Sequence, residues 1–180
     1  MTKRADQKFE RFAQDKYYTP PEAIDPLLPH LSSATKFIEC CAGDGRLAAY
    51  LNSKGHRCVW ACDVAPEAAG IEQMNPLDIC PRWFARLRAS SVITNPPWDR
   101  PILHALIAFL PTLAPTWLLM DADWAHTEHG AKHGRRCAKI VSVGRVKWIE
   151  NSKNTGFDNA AWYLFLKGHN GAPKFYWRRA

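Results

Sequence analysis

Lys36-Phe37-Ile38-Glu39-Cys40-Cys41-Ala42-Gly43-Asp44-Gly45-Arg46 is the stretch that decides the fold. Lys36 to Cys40 is a short apolar run that reads as a buried strand. Gly43-Asp44-Gly45 then permits a tight turn and a close approach of a ligand to the backbone. From Arg46 to about Lys54 the residues Leu47, Ala48, Tyr50 and Leu51 recur at helical spacing, and Gly55 ends the helix. Arg57 to Ala61 reads as a second strand, ending at Asp63.

The same alternation continues outward. Pro66 to about Met74 is expected to be helical, Asn75 to Ile79 a weak strand or loop, and Trp83 to Arg88 a basic connector. Ser90 to Thr94 reads as a strand closed by Asn95-Pro96-Pro97-Trp98. Ile102 to Leu110 is an apolar helix, and Thr116 to Met120 a strand that reaches Asp121. The polar stretch 121–137 reads as a loop insert with at most a helical turn. Ala138 to Val143 and Arg145 to Ile149 read as strand material, and Ala160 to Leu166 as a last strand. Before the first strand, Pro21 to Leu28 reads as a helix and residues 1–16 as a polar arm. Four or more strand–helix alternations predict a mostly parallel α/β sheet with helices on both faces. In such sheets ligands bind beyond the carboxyl ends of the strands.

Composition sets the class. The chain has 180 residues, 47% of them apolar, which suits one domain spanning 1–180 and leaves little room for a second. No apolar run approaches the ~18 residues of a membrane span. The charged N-terminus carries no signal-like segment, so a cytoplasmic protein with reduced cysteines is expected. The formal net charge of +7 favours a polyanionic partner, although a merely soluble basic surface would have the same balance.

Two acids follow the glycine turn at strand ends. Asp63 ends the second strand and can accept hydrogen bonds from both hydroxyls of a ribose. Such a unit would serve a dinucleotide equally well. Two details favour S-adenosylmethionine. Glu39 sits where a carboxylate suits a cationic amino-acid moiety and would repel a pyrophosphate. Asp78 can accept from an adenine amino group. A plain turn with acids that merely cap helices would leave the same trace.

Asn95-Pro96-Pro97-Trp98 directly follows an apolar strand. An aromatic amine is a poor nucleophile because its lone pair is delocalised into the ring. Hydrogen bonds accepted from both amino protons draw that nitrogen towards a tetrahedral, more nucleophilic state. The Asn95 side-chain oxygen and the Pro96 carbonyl can be the acceptors. Pro96 and Pro97 stiffen the turn and bring no competing N–H. Trp98 offers a flat face on which a base can stack.

With these motifs in order, the sequence resembles the amino methyltransferases of the N6-adenine DNA type, gamma class. The resemblance covers Tyr17 to Leu110 well and Thr116 to Leu166 less specifically. It implies a Rossmann-like, class I fold with a seven-stranded sheet ending in an antiparallel hairpin. It implies S-adenosylmethionine held by Tyr18, Thr19, Pro20, Glu39, Cys41, Gly43, Gly45, Asp63, Val64, Asp78, Ile79 and Asn95. It also implies duplex DNA with a flipped adenine as substrate. Trp98, Phe157, Lys153, Arg135 and Arg136 are the expected substrate contacts, Phe157 falling where the family often places an aromatic against the base.

No separate target-recognition domain fits the length, which points to short or relaxed specificity and a stand-alone prokaryotic or viral enzyme, in restriction protection or otherwise. An RNA adenine or a protein glutamine could use the same catalytic turn, and an inactive nucleic-acid-binding relative would share the fold. His126, His129, His133 and Cys137 match no common zinc spacing, so no metal is expected. Oligomeric state leaves no trace in the sequence.

Overall fold

The computed structural model describes residues 18–149, 156 and 158–178. Eight strands form one sheet: β1 (Lys36–Glu39), β2 (Arg57–Asp63), β3 (Glu72–Gln73), β4 (Ser91–Thr94), β5 (Thr116–Asp121), β6 (Cys137–Arg145), β7 (Asn159–Phe165) and β8 (Lys174–Tyr176). Their order is β3-β2-β1-β4-β5-β7-β6-β8. The first five in that order are parallel, β7 is antiparallel to β5 and to β6, and β8 is parallel to β6.

The chain moves outward from β1 to β2 and β3, then returns to β4 on the other side of β1. That reversal opens a crevice at the carboxyl ends of β1 and β4. Everything expected of the site depends on it.

The sheet separates two apolar layers. On one side Ile38, Val92, Leu118, Met120, Tyr163 and Phe165 pack with α3 (Pro81–Leu87) and α4 (Arg100–Phe109). On the other, Phe37, Ile93, Trp117, Leu119, Trp162 and Leu164 pack with α1 (Pro21–Ile24) and α2 (Arg46–Ser53). Neighbouring residues such as Phe37 and Ile38 face opposite ways, as the period of a strand demands. Strands covered on both faces read as continuous apolar runs, which is why β5 is legible as Trp117-Leu118-Leu119-Met120. The Trp162 indole N–H donates to the Ala23 carbonyl at 2.7 Å and fixes α1 over β7.

Several expectations are corrected. The sheet has eight strands, not seven: the three-residue β8 adds to the edge beyond β6. The helix expected from Pro66 to Met74 does not form. Ala68 and Ala69 are exposed and bury no stripe, Gly70 has φ +83°, and Glu72–Gln73 pairs with β2 instead. The connector at Trp83–Arg88 is helix α3, started by Pro81 and held by buried Phe84. The helix expected from Pro21 to Leu28 is α for one turn only and continues as a 3-10 helix from Asp25 to His30 that contains Pro26 and Pro29.

The stretch 121–137 is not a loop. It holds 3-10 turns, helix α5 (Glu128–His133) and the first residue of β6. Thr127 caps α5 by accepting from the Gly130 amide at 3.0 Å, and buried Trp124 packs on Tyr163 and Phe165. Arg145 ends β6, and 146–149 is not strand.

All six cysteines are free. No described helix is long and apolar enough to cross a membrane.

Candidate active site

The glycine loop, which continues from β1, is tied to two further strands. Its backbone needs left-handed conformations at Gly43 (φ +53°) and Gly45 (φ +79°), which a side chain would strain. The Ala42 amide donates to the Cys62 carbonyl at 3.0 Å, fastening the loop to β2. The Cys41 amide donates to Thr94 Oγ1 at 3.1 Å, fastening it to β4. The Gly43 amide donates to Asp63 Oδ2 at 2.8 Å, while Asp63 Oδ1 accepts from Ala65 at 2.8 Å. A Cβ built on Gly43 would meet nothing within 4 Å, so the loop borders open space.

Glu39 closes β1 and is only 2% exposed. Its Oε2 accepts from the Ala48 amide at 3.0 Å and braces α2 against the strand. Burial pushes its carboxyl well above the usual range, with the Ala48 bond opposing. The folded state therefore holds a proton there that the unfolded chain releases. This contribution to stability is complete below the ordinary carboxylate pKa and is lost as pH rises through the elevated folded value. Glu39→Gln keeps the acceptor and has no charge to bury. Melting curves should show the variant level with the wild type near pH 4 and higher by on the order of 2–4 °C near pH 8. A variant that is less stable at pH 8 would refute this. A bound cation beside Glu39 would reverse the effect, because it favours the ionised form.

The segment before α1 crosses from the glycine loop to the Asn95–Trp98 turn. Tyr18 donates its hydroxyl hydrogen bond to Glu67, and its ring lies 4.6 Å from the Arg46 guanidinium carbon. Arg46 pairs with Asp44 at 2.8 Å. One residue further, Thr19 is buried and its Oγ1 accepts from Asn95 Nδ2 at 3.1 Å. That bond sets the Asn95 amide so that Oδ1, the acceptor atom, points away from Thr19. Pro20 then leads into α1.

Asn95 sits at the carboxyl end of β4, beside the loop. Pro96 is buried and Pro97 half-buried. The Trp98 indole N–H donates to the Leu119 carbonyl at 3.1 Å and lies 3.4 Å from Asn95 Oδ1. Its ring meets Trp148 edge-on at 5.7 Å.

The structure thus brings together Tyr18, Thr19, Pro20, Glu39, Cys41, Gly43, Gly45, Asp63, Asn95 and the Pro96-Pro97-Trp98 turn. Val64, next to Asp63, is an exposed apolar side chain (53%), and Asp78 is also exposed. Ile79 gives its side chain to the core (2% exposed). Arg135 and Arg136 are not with the others. They precede Cys137, which pairs with Phe165 and so lies at the amino end of β5, across the sheet from Asn95. Lys153 and Phe157 fall outside the described residues.

Thr94, Arg46, Glu67 and Trp148 also belong to the site. Thr94, Glu67 and Trp148 act through partners distant in the chain, so nothing local in the sequence marks them, and Arg46, paired locally with Asp44, reaches the site through the ring of Tyr18. Among the described residues no His, Cys, Asp and Glu group could hold a metal ion. His129 and His133 stack on His104 at 4.0 and 5.7 Å, and Cys137 is buried in the core.

Comparison with known structures places the fold. A protein of Pyrococcus horikoshii assigned as an RNA methyltransferase superposes with a TM-score of 0.61 at 14% identity, over 86% of this chain and 87% of that one. The E. cuniculi Mtq2–Trm112 structure, described as responsible for methylating the termination factor eRF1, gives 0.54 at 14% identity, over 84% and 99%. The 23S rRNA methyltransferase ErmE gives 0.54 at 13% identity, over 86% and 71%. The fold is that of the Rossmann-like methyltransferases. No family model and no curated protein matches the sequence.

Within that fold, the residues present fit S-adenosylmethionine. The glycine loop leaves the space a methionine moiety needs. Each Asp63 oxygen keeps a lone pair beyond its backbone bond, enough to accept from ribose hydroxyls. Val64 and Asp78 are exposed, and would be the residues to offer an adenine an apolar face and an acceptor.

Proposed function

We propose that the protein transfers a methyl group from S-adenosylmethionine to the N6 amino group of adenine in DNA. The observation that carries this reading is the Asn95 amide at the end of β4, oriented by the Thr19 hydroxyl. Bound S-adenosylmethionine supplies an electrophilic methyl group on a sulfonium. The chain's part is to hold and orient. Asn95 Oδ1 and the Pro96 carbonyl accept from the two amino protons of the target, and its nitrogen becomes pyramidal and nucleophilic. The rigid prolines keep both acceptors aimed, so positioning carries much of the rate. Once methylated, the target nitrogen would shed its extra proton to solvent, so no side chain of the turn has to act as a strong base.

Trp98 lies at the mouth of the turn, where a flipped base would pack. The formal charge of +7 supports a polyanionic substrate. The same turn would serve an adenine in RNA, or a glutamine amide.

The deciding experiment supplies labelled S-adenosylmethionine and unmethylated duplex DNA, then analyses the nucleosides. N6-methyladenine is the expected product, and its sequence context gives the specificity. Absence of label in DNA, with S-adenosylmethionine still bound, would exclude the DNA reading and leave RNA and protein as substrates to assay.

A further inference from the structure

The catalytic turn does not end at Trp98. Trp148 stands edge-on to it, in the stretch that leaves β6. Gly156 folds against Trp148 so closely that a Cβ there would come within 2.9 Å of its ring, and the Gly156 amide donates to Val146 at 2.8 Å. Next along the chain, Lys147 and Arg145 are exposed on either side of buried Val146. Then the sheet edge begins. The side chain of Arg178 lies over Gly144, within 2.7 Å of where a Cβ would be, and Trp177 is 83% exposed.

Strand directions put all of this on the side of Asn95. β6 is antiparallel to β7, β7 to β5, and β8 parallel to β6, so Arg145, Trp177 and Arg178 lie towards the end of the sheet where β4 and β5 terminate. From β4 to β8 there are four strand spacings, roughly 19 Å. A groove of about 430 Å³ runs below Trp177, between the 3-10 segment at Pro26–His30 and the edge formed by Val143, Arg145, Val146 and Arg178. Its acids are Glu22 and Asp25. Glu22 accepts from the Lys147 amide at 3.3 Å and Asp25 from the Tyr50 hydroxyl at 2.5 Å, so each already has a donor.

The Trp177 ring meets Phe175 edge-on at 4.9 Å, and Phe175 is itself 49% exposed, so the two rings form an apolar pair on the surface of the sheet edge. The burial of apolar surface favours covering such a pair, and contiguous exposed apolar surface with a polar rim marks an interaction site. Here it is flanked by guanidinium groups, the arrangement by which proteins hold an unpaired nucleic-acid strand: aromatic faces for bases and cations for phosphates.

We infer that the β6–β8 edge, through Trp177, Arg145, Arg178 and Lys147, binds the single strand of nucleic acid flanking the target base. This rests on the nucleic-acid reading of the active site, with the target strand presented unpaired rather than as a base flipped from a duplex, and it adds a subsite remote from the reacting atoms. Trp177 stacks one flanking base. The cations take the phosphates between it and the catalytic turn.

The test measures both binding and turnover. Equilibrium binding of a fluorescent single-stranded 20-mer to the whole chain, without cofactor, is compared for the wild type, Trp177→Ala, Trp177→Phe and Arg145→Ala/Arg178→Ala. Trp177→Ala should weaken binding about 10-fold, and Trp177→Phe should restore most of it. The double arginine variant should lower the slope of log affinity against log salt by about 0.7 per lost phosphate contact, roughly 1.4 in all. In the transfer assay KM for the 20-mer should rise while kcat holds, and a dinucleotide, too short to reach the edge, should show no difference. Equal binding by wild type and Trp177→Ala overturns the inference, as does failure of the wild type to bind the 20-mer. Trp177-dependent binding without methyl transfer to any nucleic acid leaves the edge standing and defeats the proposed function instead. Melting temperatures within a degree of the wild type separate these results from misfolding.

Discussion

Asn95→Ala should lower the single-turnover rate of methyl transfer about 10³-fold while S-adenosylmethionine affinity stays within about 10-fold. Removing one aimed hydrogen-bond partner from developing charge costs on the order of 10²–10³ in rate. Here the same atom also draws the amine out of conjugation, which places the loss at the upper end. Alanine leaves no buried charge, and Asn95 is only half-buried, so the fold should survive. Thr19→Val separates aiming from accepting. It removes the oxygen that accepts from Asn95 Nδ2 at 3.1 Å, which leaves the Trp98 indole N–H, 3.4 Å from Oδ1, as a weaker hold on the orientation of the amide. The expected loss is about 10-fold in kcat with KM unchanged, and Thr19→Ser, which keeps the hydroxyl, should recover most of it. Single-turnover rates with saturating DNA measure both effects. An Asn95→Ala enzyme that keeps more than a tenth of the rate would remove Asn95 from the chemistry.

The parts of this site that could be read from the sequence are those whose signal is local. The strand–Gly43-Asp44-Gly45–helix unit and the Asn95-Pro96-Pro97-Trp98 turn each report their own backbone, through glycines, prolines and a preceding apolar strand. The unread parts act at a distance. Thr94 contributes by taking the Cys41 amide, 53 positions away in the chain. Nothing near Thr94 reveals that. Arg135 and Arg136 show the opposite error. Their charge is visible, but which end of the sheet they occupy depends on β6 running antiparallel to β7 and β7 to β5. Strand direction is a property of the whole sheet. Short elements fail for a related reason: β8 has three residues and exists only because β6 offers an edge to pair with. Helix α3 was hidden differently, since Arg82, Arg86 and Arg88 masked an apolar face made by Trp83, Phe84 and Leu87.

Asp63→Ala should have two consequences, and their coupling is the informative part. The carboxylate accepts from the Gly43 and Ala65 amides, both at 2.8 Å, with Asp63 itself 7% exposed. A donor left without a partner in such a place costs about 1–3 kcal/mol. Water can reach half-buried Gly43 and Ala65, so the lower end applies, near 2 kcal/mol for the pair of donors. In a chain of this size that corresponds to a fall in Tm of roughly 4–8 °C. The second consequence is on S-adenosylmethionine. The variant loses the acceptors for the ribose and also releases the Gly43 amide, so the loop no longer holds the conformation that leaves space beside it. Affinity should fall at least 100-fold, measured by calorimetry or equilibrium dialysis. Asp63→Asn should not rescue it, because the amide nitrogen would face one backbone N–H with another donor. A fall in Tm with affinity intact would reduce Asp63 to a brace for the loop. A loss of affinity with Tm unchanged would mean that the loop keeps its shape without the two bonds and that the carboxylate serves the ribose alone. The proposed site predicts both losses together, since one carboxylate shapes the loop with one set of lone pairs and would face the cofactor with the other.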